Sequence, residues 1–231
     1  MRAVVLAAGQ GTRMLPLTKE IPKVLVEVNG KPFLYYLLKS LEKAKYKQIC
    51  LVVGFKKEKI LDFIEKYNFK VAVVEQEKQK GTGDAVLQAE EFVGKKDFVV
   101  LGGDNLWSVS DLKSIGKKDS FNYVCGVEVN NPEKYGVLRT NGRLLKEIIE
   151  KPQKFIGNLI NTALYKFKSE IFPLLDKLKE SPRGEIELTD AVSILAKKEK
   201  VKIIRANQWI DFGCPEDISK VELFLKKNWE E

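Results

Sequence analysis

Leu6-Ala7-Ala8-Gly9-Gln10-Gly11-Thr12-Arg13, continued by Pro16-Leu17-Thr18 and Pro22-Lys23, decides how this chain is read. Val4, Val5 and Leu6 lead into it as an unbroken apolar run, the pattern of a parallel strand buried on both faces. Pro16 and Pro22 keep a helix from starting at once, because proline lacks an amide donor and clashes with the preceding turn. A long glycine-bearing loop must therefore follow the strand, with Arg13 and Lys23 both on it. Glycine lets backbone N–H groups come close to phosphate oxygens, and the two cations can neutralise a polyphosphate.

Two common phosphate loops are excluded. The dinucleotide fingerprint needs a third glycine followed directly by a helix, and Met14 stands in that place. The Walker loop needs Gly-Lys-Ser/Thr, which occurs nowhere in the chain.

Composition narrows the chemistry further. At 231 residues and 44% hydrophobic content, one large α/β domain or two small ones can bury a substantial core. No apolar stretch is long enough for a membrane span. The chain enters a strand at its N-terminus, so no signal peptide is expected, and with no membrane partner expected either the location is read as cytoplasmic. Cys50 and Cys125 lie in apolar runs and Cys214 stands apart, which predicts free thiols rather than a zinc site. The net charge of +8 raises nucleic acid as a partner, but the charge comes mostly from scattered lysines. Base readout leans on clustered arginine, so no nucleic-acid role is expected; a positive field also gathers anionic small molecules. Histidine is absent, which removes Ser-His-Asp and Cys-His catalysis, histidine metal sites and histidine bases together. A reaction whose nucleophile is already an anion fits that constraint.

Strand and helix signals alternate through the first half. Val24–Val28, Ile49–Val53, Val71–Val74 and Phe98–Leu101 read as strands. Leu34, Leu37, Leu38 and Leu41 recur at helical spacing, Ile60, Leu61 and Ile64 give a second helical face, and Ala85, Ala89, Phe92 and Val93 a third. This predicts a Rossmann-like, doubly wound, mostly parallel sheet over about residues 1–120. Beyond it the pattern turns β-rich: Tyr123–Val129, Val137–Thr140, Leu144–Glu150, Ile160–Phe167 and Val201–Ile204, with Asn141-Gly142 as a type I′ hairpin turn. Helices are expected near 169–179 and 186–198 and after Pro215, where Ile218, Val221, Phe224 and Leu225 share one face. The reading is a single domain over 1–231, a nucleotide-binding half followed by a β-rich substrate half from about 121.

Asp104 closes the apolar run from Phe98, at the carboxyl end of a predicted parallel strand, where side chains point into the ligand crevice of open sheets. Asp211, in Trp209-Ile210-Asp211-Phe212-Gly213, also follows a strand and precedes a turn. Gln76 ends a strand just before Gly81-Thr82-Gly83, with Gln79 a nearby competitor and Thr82 as an N-cap. A glutamine amide carries a donor and an acceptor together, which suits the imide edge of uracil or thymine.

At the opening string the chain resembles the sugar-phosphate nucleotidyltransferase family, whose signature L-A-x-G-x-G-T-R-x-x-P-L-T followed by P-K is filled at every fixed position. The resemblance runs over nearly the whole chain, through several motifs in order. It implies Mg²⁺ as cofactor, with Asp104 and Asp211 as its ligands. It implies that Leu6, Ala7, Ala8, Gly9, Gly11, Thr12, Gln76, Gly81 and Thr82 bind the nucleotide, with Arg13 on the leaving phosphates and Lys23 on the transferring one. Tyr135, Gly136, Glu150, Lys151, Asn161 and Thr162 resemble the family's sugar-phosphate site, with Lys151 on the attacking phosphate and Glu150 accepting from sugar hydroxyls. Glu185, Glu187 and Asp190 are candidates for its far wall. Ala163 departs from the family, where many relatives have glycine. The implied partners are an NTP, with dTTP or UTP preferred, and a sugar 1-phosphate such as glucose 1-phosphate; homo-oligomerisation is left open. The competing readings are transfer to another small phosphate (phosphocholine, inositol phosphate, mannose 1-phosphate) and a nucleotide-binding regulator without turnover. The regulator has no need for Arg13, Lys23, Asp104 and Asp211 together.

Overall fold

The structure is a computed structural model that describes residues 1–229. Nine strands make one sheet: β1 Arg2–Ala7, β2 Gln48–Val53, β3 Ala72–Glu75, β4 Phe98–Gly102, β5 Asn122–Glu128, β6 Gly136–Asn141, β7 Leu144–Glu150, β8 Leu159–Phe167 and β9 Val201–Arg205. Across the sheet they run β3-β2-β1-β4-β8-β5-β9-β7-β6. β1 is central to the first half and pairs in parallel with β2 and β4, with Val4 opposite both Cys50 and Val100. Covered on both sides, these strands use β-branched residues at successive positions, as a parallel sheet requires. Cys50 and Cys125 are buried free thiols within β2 and β5.

Parallel winding stops at β4. β8 pairs antiparallel with it, Leu164 opposite Leu101, and the second half continues as a mixed ladder. The sheet as a whole is therefore mixed: β3, β2, β1 and β4 run parallel throughout, and β5 and β9 form a further parallel pair among antiparallel neighbours. The two halves share one continuous sheet. Separate apolar layers cover its faces, one built on Leu34, Leu37, Leu38 and Leu41, the other on Ala85, Val86, Phe172 and Val192.

Local departures have local causes. Lys23–Leu25 is a 3-10 turn after Pro22, so only Glu27–Val28 of the expected strand forms, pairing with Lys31–Pro32. Leu61 is exposed because its neighbour Ile60 already takes the inward face of the helix Lys57–Lys66. The helix carrying Ala85 and Val93 breaks at Ala89 into Thr82–Leu87 and Glu90–Val93. The helix expected over 169–179 shrinks to a 3-10 turn at Ser169–Ile171 and one α-turn, Phe172–Leu175. In the hairpin, Asn141 pairs with Leu144, leaving Gly142-Arg143 as the loop. Only Gly142 of that pair has positive φ, whereas a type I′ turn needs both. Among the described residues no helix is long and apolar enough to cross a membrane.

One small ribbon matters more for function than its size suggests. Asn105–Trp107, directly after Asp104, pairs antiparallel with Trp209–Asp211, so that Asp211 lies opposite Asn105. Phe212 N–H donates to the Asp104 carbonyl at 2.9 Å, and the Phe212 ring stacks on Phe33 at 4.7 Å with neither ring exposed. The core thus anchors the backbone that carries the second carboxylate.

Candidate functional site

The cleft of about 460 Å³ opens over the carboxyl ends of β1 and β4, the position where open α/β sheets bind ligands. The glycine loop forms its floor: Leu6, Ala7, Ala8, Gly9, Gly11, Thr12 and Arg13 all border it. Gly11 has φ +65°, and a Cβ there would stand 2.7 Å from the Cβ of Lys23. Both its conformation and its bareness are needed for Lys23 to fold back under the loop. Thr18 supports the turn, its hydroxyl donating to the Gly11 carbonyl at 2.8 Å.

Lys23 and Asp104 meet at the cleft. Lys23 is only 8% exposed, and its Nζ donates to Asp104 Oδ2 at 2.5 Å. Asn105 Nδ2 donates to the other oxygen at 2.7 Å. Burial pushes the Asp104 carboxyl upward, but the Lys23 ammonium and these hydrogen bonds outweigh it and hold the group below its usual range. Asp211 goes the other way. Burial first, then the charge of Asp104, lift it to about 6, against the pull of Lys23 and Arg13. Two carboxylates that repel each other beside two cations form a site of mixed charge. Hard oxygen donors in such a pair suit a divalent cation that completes its shell with phosphate oxygens and water. Among the described residues no cluster of three or more acidic or thiol groups is placed to hold a metal by itself, so substrate oxygens would have to contribute.

The end of the cleft lined by Gln76, Gly81 and Thr82 is built by a clamp between two distant loops. Ile186 N–H donates to Lys80 O and Gly83 N–H to Ile186 O, each at 2.7 Å. Gly81 sits between them with φ +95°, where a Cβ would meet Ile186 O at 2.7 Å. Thr82 does not act as an N-cap: it is the first helical residue, and its hydroxyl accepts from Leu188 N–H at 3.2 Å. Gln76 borders the cleft, yet its Nε2 is spent inside the protein, donating to Gly81 O at 3.0 Å and Asp84 Oδ2 at 2.7 Å. The donor half of the expected donor–acceptor edge is therefore not free; only the carbonyl is. Gln79, the competitor, also borders the cleft, but its amide donates to Ala8 O at 2.8 Å.

The sugar-side candidates divide. Tyr135, Gly136, Glu150 and Lys151 gather beyond the main cleft, at the paired ends of β6 and β7, where Lys151 N–H donates to Tyr135 O at 3.0 Å. A Cβ on Gly136 would lie 2.8 Å from Glu150 Oε1, so the glycine makes room for that carboxylate rather than for a ring directly. Burial raises the Glu150 carboxyl; Arg183 and Lys151 oppose this, and Glu187 and Asp190 reinforce it. Tyr135 stands edge-on to Trp209 at 5.7 Å, which joins this group to the ribbon bearing Asp211.

Thr162 corrects the sequence reading. It is 1% exposed, accepting from Trp107 Nε1 and donating to Cys125 O, so its hydroxyl is engaged in the core. Asn161 turns to its own strand, donating to the Tyr165 hydroxyl at 2.5 Å and accepting from Ala163 N–H. Tyr165 and Ala163 themselves border the cleft, as do Glu185 and Leu188. Glu187 does not: it is buried against Arg183 Nη2 at 2.7 Å and Ser181. Asp190 lies outside the lining too. No sequence signal marks Tyr165, because the strand alternation is broken at Ala163 just before it.

Ala163 sits where β8 shifts register between Asn161 and Tyr165, with φ +58°. That left-handed backbone favours glycine. Replacing Ala163 with Gly removes about 1–2 kcal/mol of left-handed strain and adds about 0.5–1 kcal/mol of chain entropy cost. The expected net is a small gain, visible as a rise of about 2 °C in Tm. A clear fall in Tm would show that the Ala163 methyl packs to more effect than its strain costs.

A glycine loop, a buried Lys–Asp pair and a second carboxylate thus meet at one cleft over the strand ends of an α/β sheet. Residues 2–228 match the family model for nucleotidyl transferases, and the chain belongs to that family. It is 41% identical over 228 residues to a bifunctional protein GlmU of Methanocaldococcus jannaschii, covering 97% of this chain and 54% of that protein. It is 35% identical to the UTP–glucose-1-phosphate uridylyltransferase AglF of Haloferax volcanii, covering 98% and 97%. Among solved structures, a UDP-glucose pyrophosphorylase complexed with UDP-glucose superposes with a TM-score of 0.85 at 27% identity, covering 98% of each chain. The chain spans about half the length of the bifunctional relatives it matches.

Proposed function

We propose that this chain joins an NTP to a sugar 1-phosphate and releases pyrophosphate, with UTP or dTTP as the nucleotide and glucose 1-phosphate as the acceptor. The observation that carries this reading is the convergence of Lys23, Asp104 and Asp211 beside the glycine loop, in a cleft also bordered by Arg13. The names of the Haloferax relative and of the structural neighbour bound to UDP-glucose support the choice of substrates.

In this reading an oxygen of the sugar phosphate attacks the α-phosphorus in line, and pyrophosphate leaves on the opposite side. Both reactants are anions, so positioning and charge neutralisation supply most of the catalysis, with no proton to be moved. That suits a chain without histidine. Arg13 would neutralise the leaving phosphates, Lys23 the transferring group and Lys151 the attacking phosphate. Asp104 and Asp211 would hold Mg²⁺, which supplies further charge neutralisation at phosphoryl oxygens.

A pyrophosphate-release screen of four NTPs against several sugar 1-phosphates tests the proposal. UTP or dTTP with glucose 1-phosphate is expected to exceed GTP and ATP by at least about tenfold in kcat/KM. A preference for GTP with mannose 1-phosphate would overturn the substrates and leave the reaction standing. No release with any pair would overturn the reaction.

A further inference from the structure

We infer that Asp84, which does not border the cleft, fixes the hydrogen-bonding polarity of Gln76 and so selects nucleobases that carry a ring imino N–H. This rests on the proposed role of the cleft as the nucleotide site.

The argument begins with the partners of one amide. Gln76 Nε2 lies 2.7 Å from Asp84 Oδ2 and 3.0 Å from Gly81 O. Both partners are acceptors without a proton to give: one is a carboxylate oxygen, the other a backbone carbonyl. Turning the amide over would set oxygen against oxygen at both contacts. The orientation is thus dictated by chemistry, and both Gln76 N–H bonds are consumed. Gln76 is 4% exposed, and among the described residues no buried side-chain polar atom lacks a partner. Its Oε1 accepts none of these bonds and is left as the polar group that Gln76 offers to the cleft.

Asp84 is itself held in place. It sits in the first turn of Thr82–Leu87, and Gln88 Nε2 reaches its other oxygen, Oδ1, at 3.5 Å. The helix start is in turn fixed by the clamp through Ile186. The Gly81 carbonyl alone would tolerate some amide rotation; the charged acceptor makes reversal costly, since a charge-assisted bond is roughly twice as strong as a neutral one.

An acceptor fixed at this point reads one feature of a base. Uracil and thymine present N3–H to it and are bound; cytosine presents a lone pair at N3 and is opposed, although its ring is the same size. Guanine also has an imino N–H, so the lock leaves its exclusion to pocket size. UTP and CTP are therefore the discriminating pair. Mismatching a site built to hydrogen-bond its ligand is costly, because a buried polar group is left unpaired.

Isothermal titration of UTP and of CTP, without sugar phosphate, reads this independently of turnover. The wild-type protein is expected to bind UTP at least about tenfold more tightly than CTP. Asp84→Ala frees the amide to rotate, and the ratio of the two dissociation constants should fall about tenfold, with UTP weakened most. Asp84→Asn keeps the shape but loses the charge and can present either oxygen or N–H, so at near wild-type thermal stability the ratio should fall to a value between those of the wild type and Asp84→Ala, a graded response that a purely structural role for Asp84 does not predict. Equal wild-type binding of UTP and CTP, or an unchanged ratio in Asp84→Ala, overturns the inference. If neither nucleotide binds, the inference falls together with the nucleotide reading of the cleft. If UTP selectivity appears in the titrations while the pyrophosphate screen is silent, the polarity lock stands and the reaction does not.

Discussion

Asp104→Asn is expected to cut turnover by at least about a hundredfold, equivalent to roughly 2.7 kcal/mol of barrier, while leaving the fold intact. Asparagine matches aspartate in shape, so Lys23 and Asn105 keep a neighbour of the same size at 2.5 and 2.7 Å. What disappears is the charge. Asp104 is the carboxylate that stays ionised, because Lys23 holds it low, whereas burial and Asp104 itself lift Asp211 toward neutrality. Removing the Asp104 charge therefore takes away one of the two carboxylate oxygen donors proposed for a divalent cation. Rates measured over a Mg²⁺ titration, with thermal unfolding as the control, decide the matter. A variant with full activity at ordinary Mg²⁺ would sink the assignment; one recovering only at much higher Mg²⁺ would support a ligand role. Asp211→Asn should show a loss of the same kind, since the ribbon through Asn105 and Trp209 sets the two groups side by side.

Much of the fold was legible because its signals are local. β1, β2 and β4 declare themselves as β-branched runs, and the leucines of Phe33–Lys43 declare a helix face. The glycine loop is legible for the same reason: Gly11, Arg13 and Lys23 sit within one short string and end up around one cleft. The misreadings fall where the outcome depends on a partner far along the chain. Resemblance places Thr162 at the sugar-phosphate site together with Asn161, but Trp107 and Cys125, from two other strands, claim its hydroxyl. Thr82 looked like a cap until Leu188 took its oxygen. Gln76 was correctly placed at a strand end, yet the direction of its amide depends on Asp84 and Gly81, and no periodicity encodes that. Ala163 departs from the glycine of the resemblance, and what makes that position special, φ +58° at a bulge, is a backbone property invisible until β8 meets both its neighbours. The nearness of Asp104 to Asp211 is the same kind of fact: two short strands, far apart in sequence, have to pair first.

Replacing the two lysines should separate their duties. Lys23 is 8% exposed, packed under Gly11 and bonded to Asp104 at 2.5 Å, so its ammonium is fixed before any substrate arrives. A preorganised charge of this kind acts most strongly when negative charge shifts during the reaction. Lys23→Ala should therefore lower kcat by about a hundredfold or more and change either Michaelis constant far less. It should also reduce stability, because Asp104 loses the ammonium that offsets its burial. Lys151 is exposed at the end of β7 and, among the described residues, makes no ion pair. A mobile, solvated cation gathers an anion without being tuned to the transition state. Lys151→Ala should accordingly raise KM for the sugar 1-phosphate about tenfold, with kcat and the KM for the nucleotide close to wild type. Steady-state kinetics with each substrate varied in turn distinguishes the two patterns. Should both variants show one pattern toward both substrates, the division between a fixed cation for transfer and a free one for capture is wrong, and the charge of the cleft acts as an undivided field.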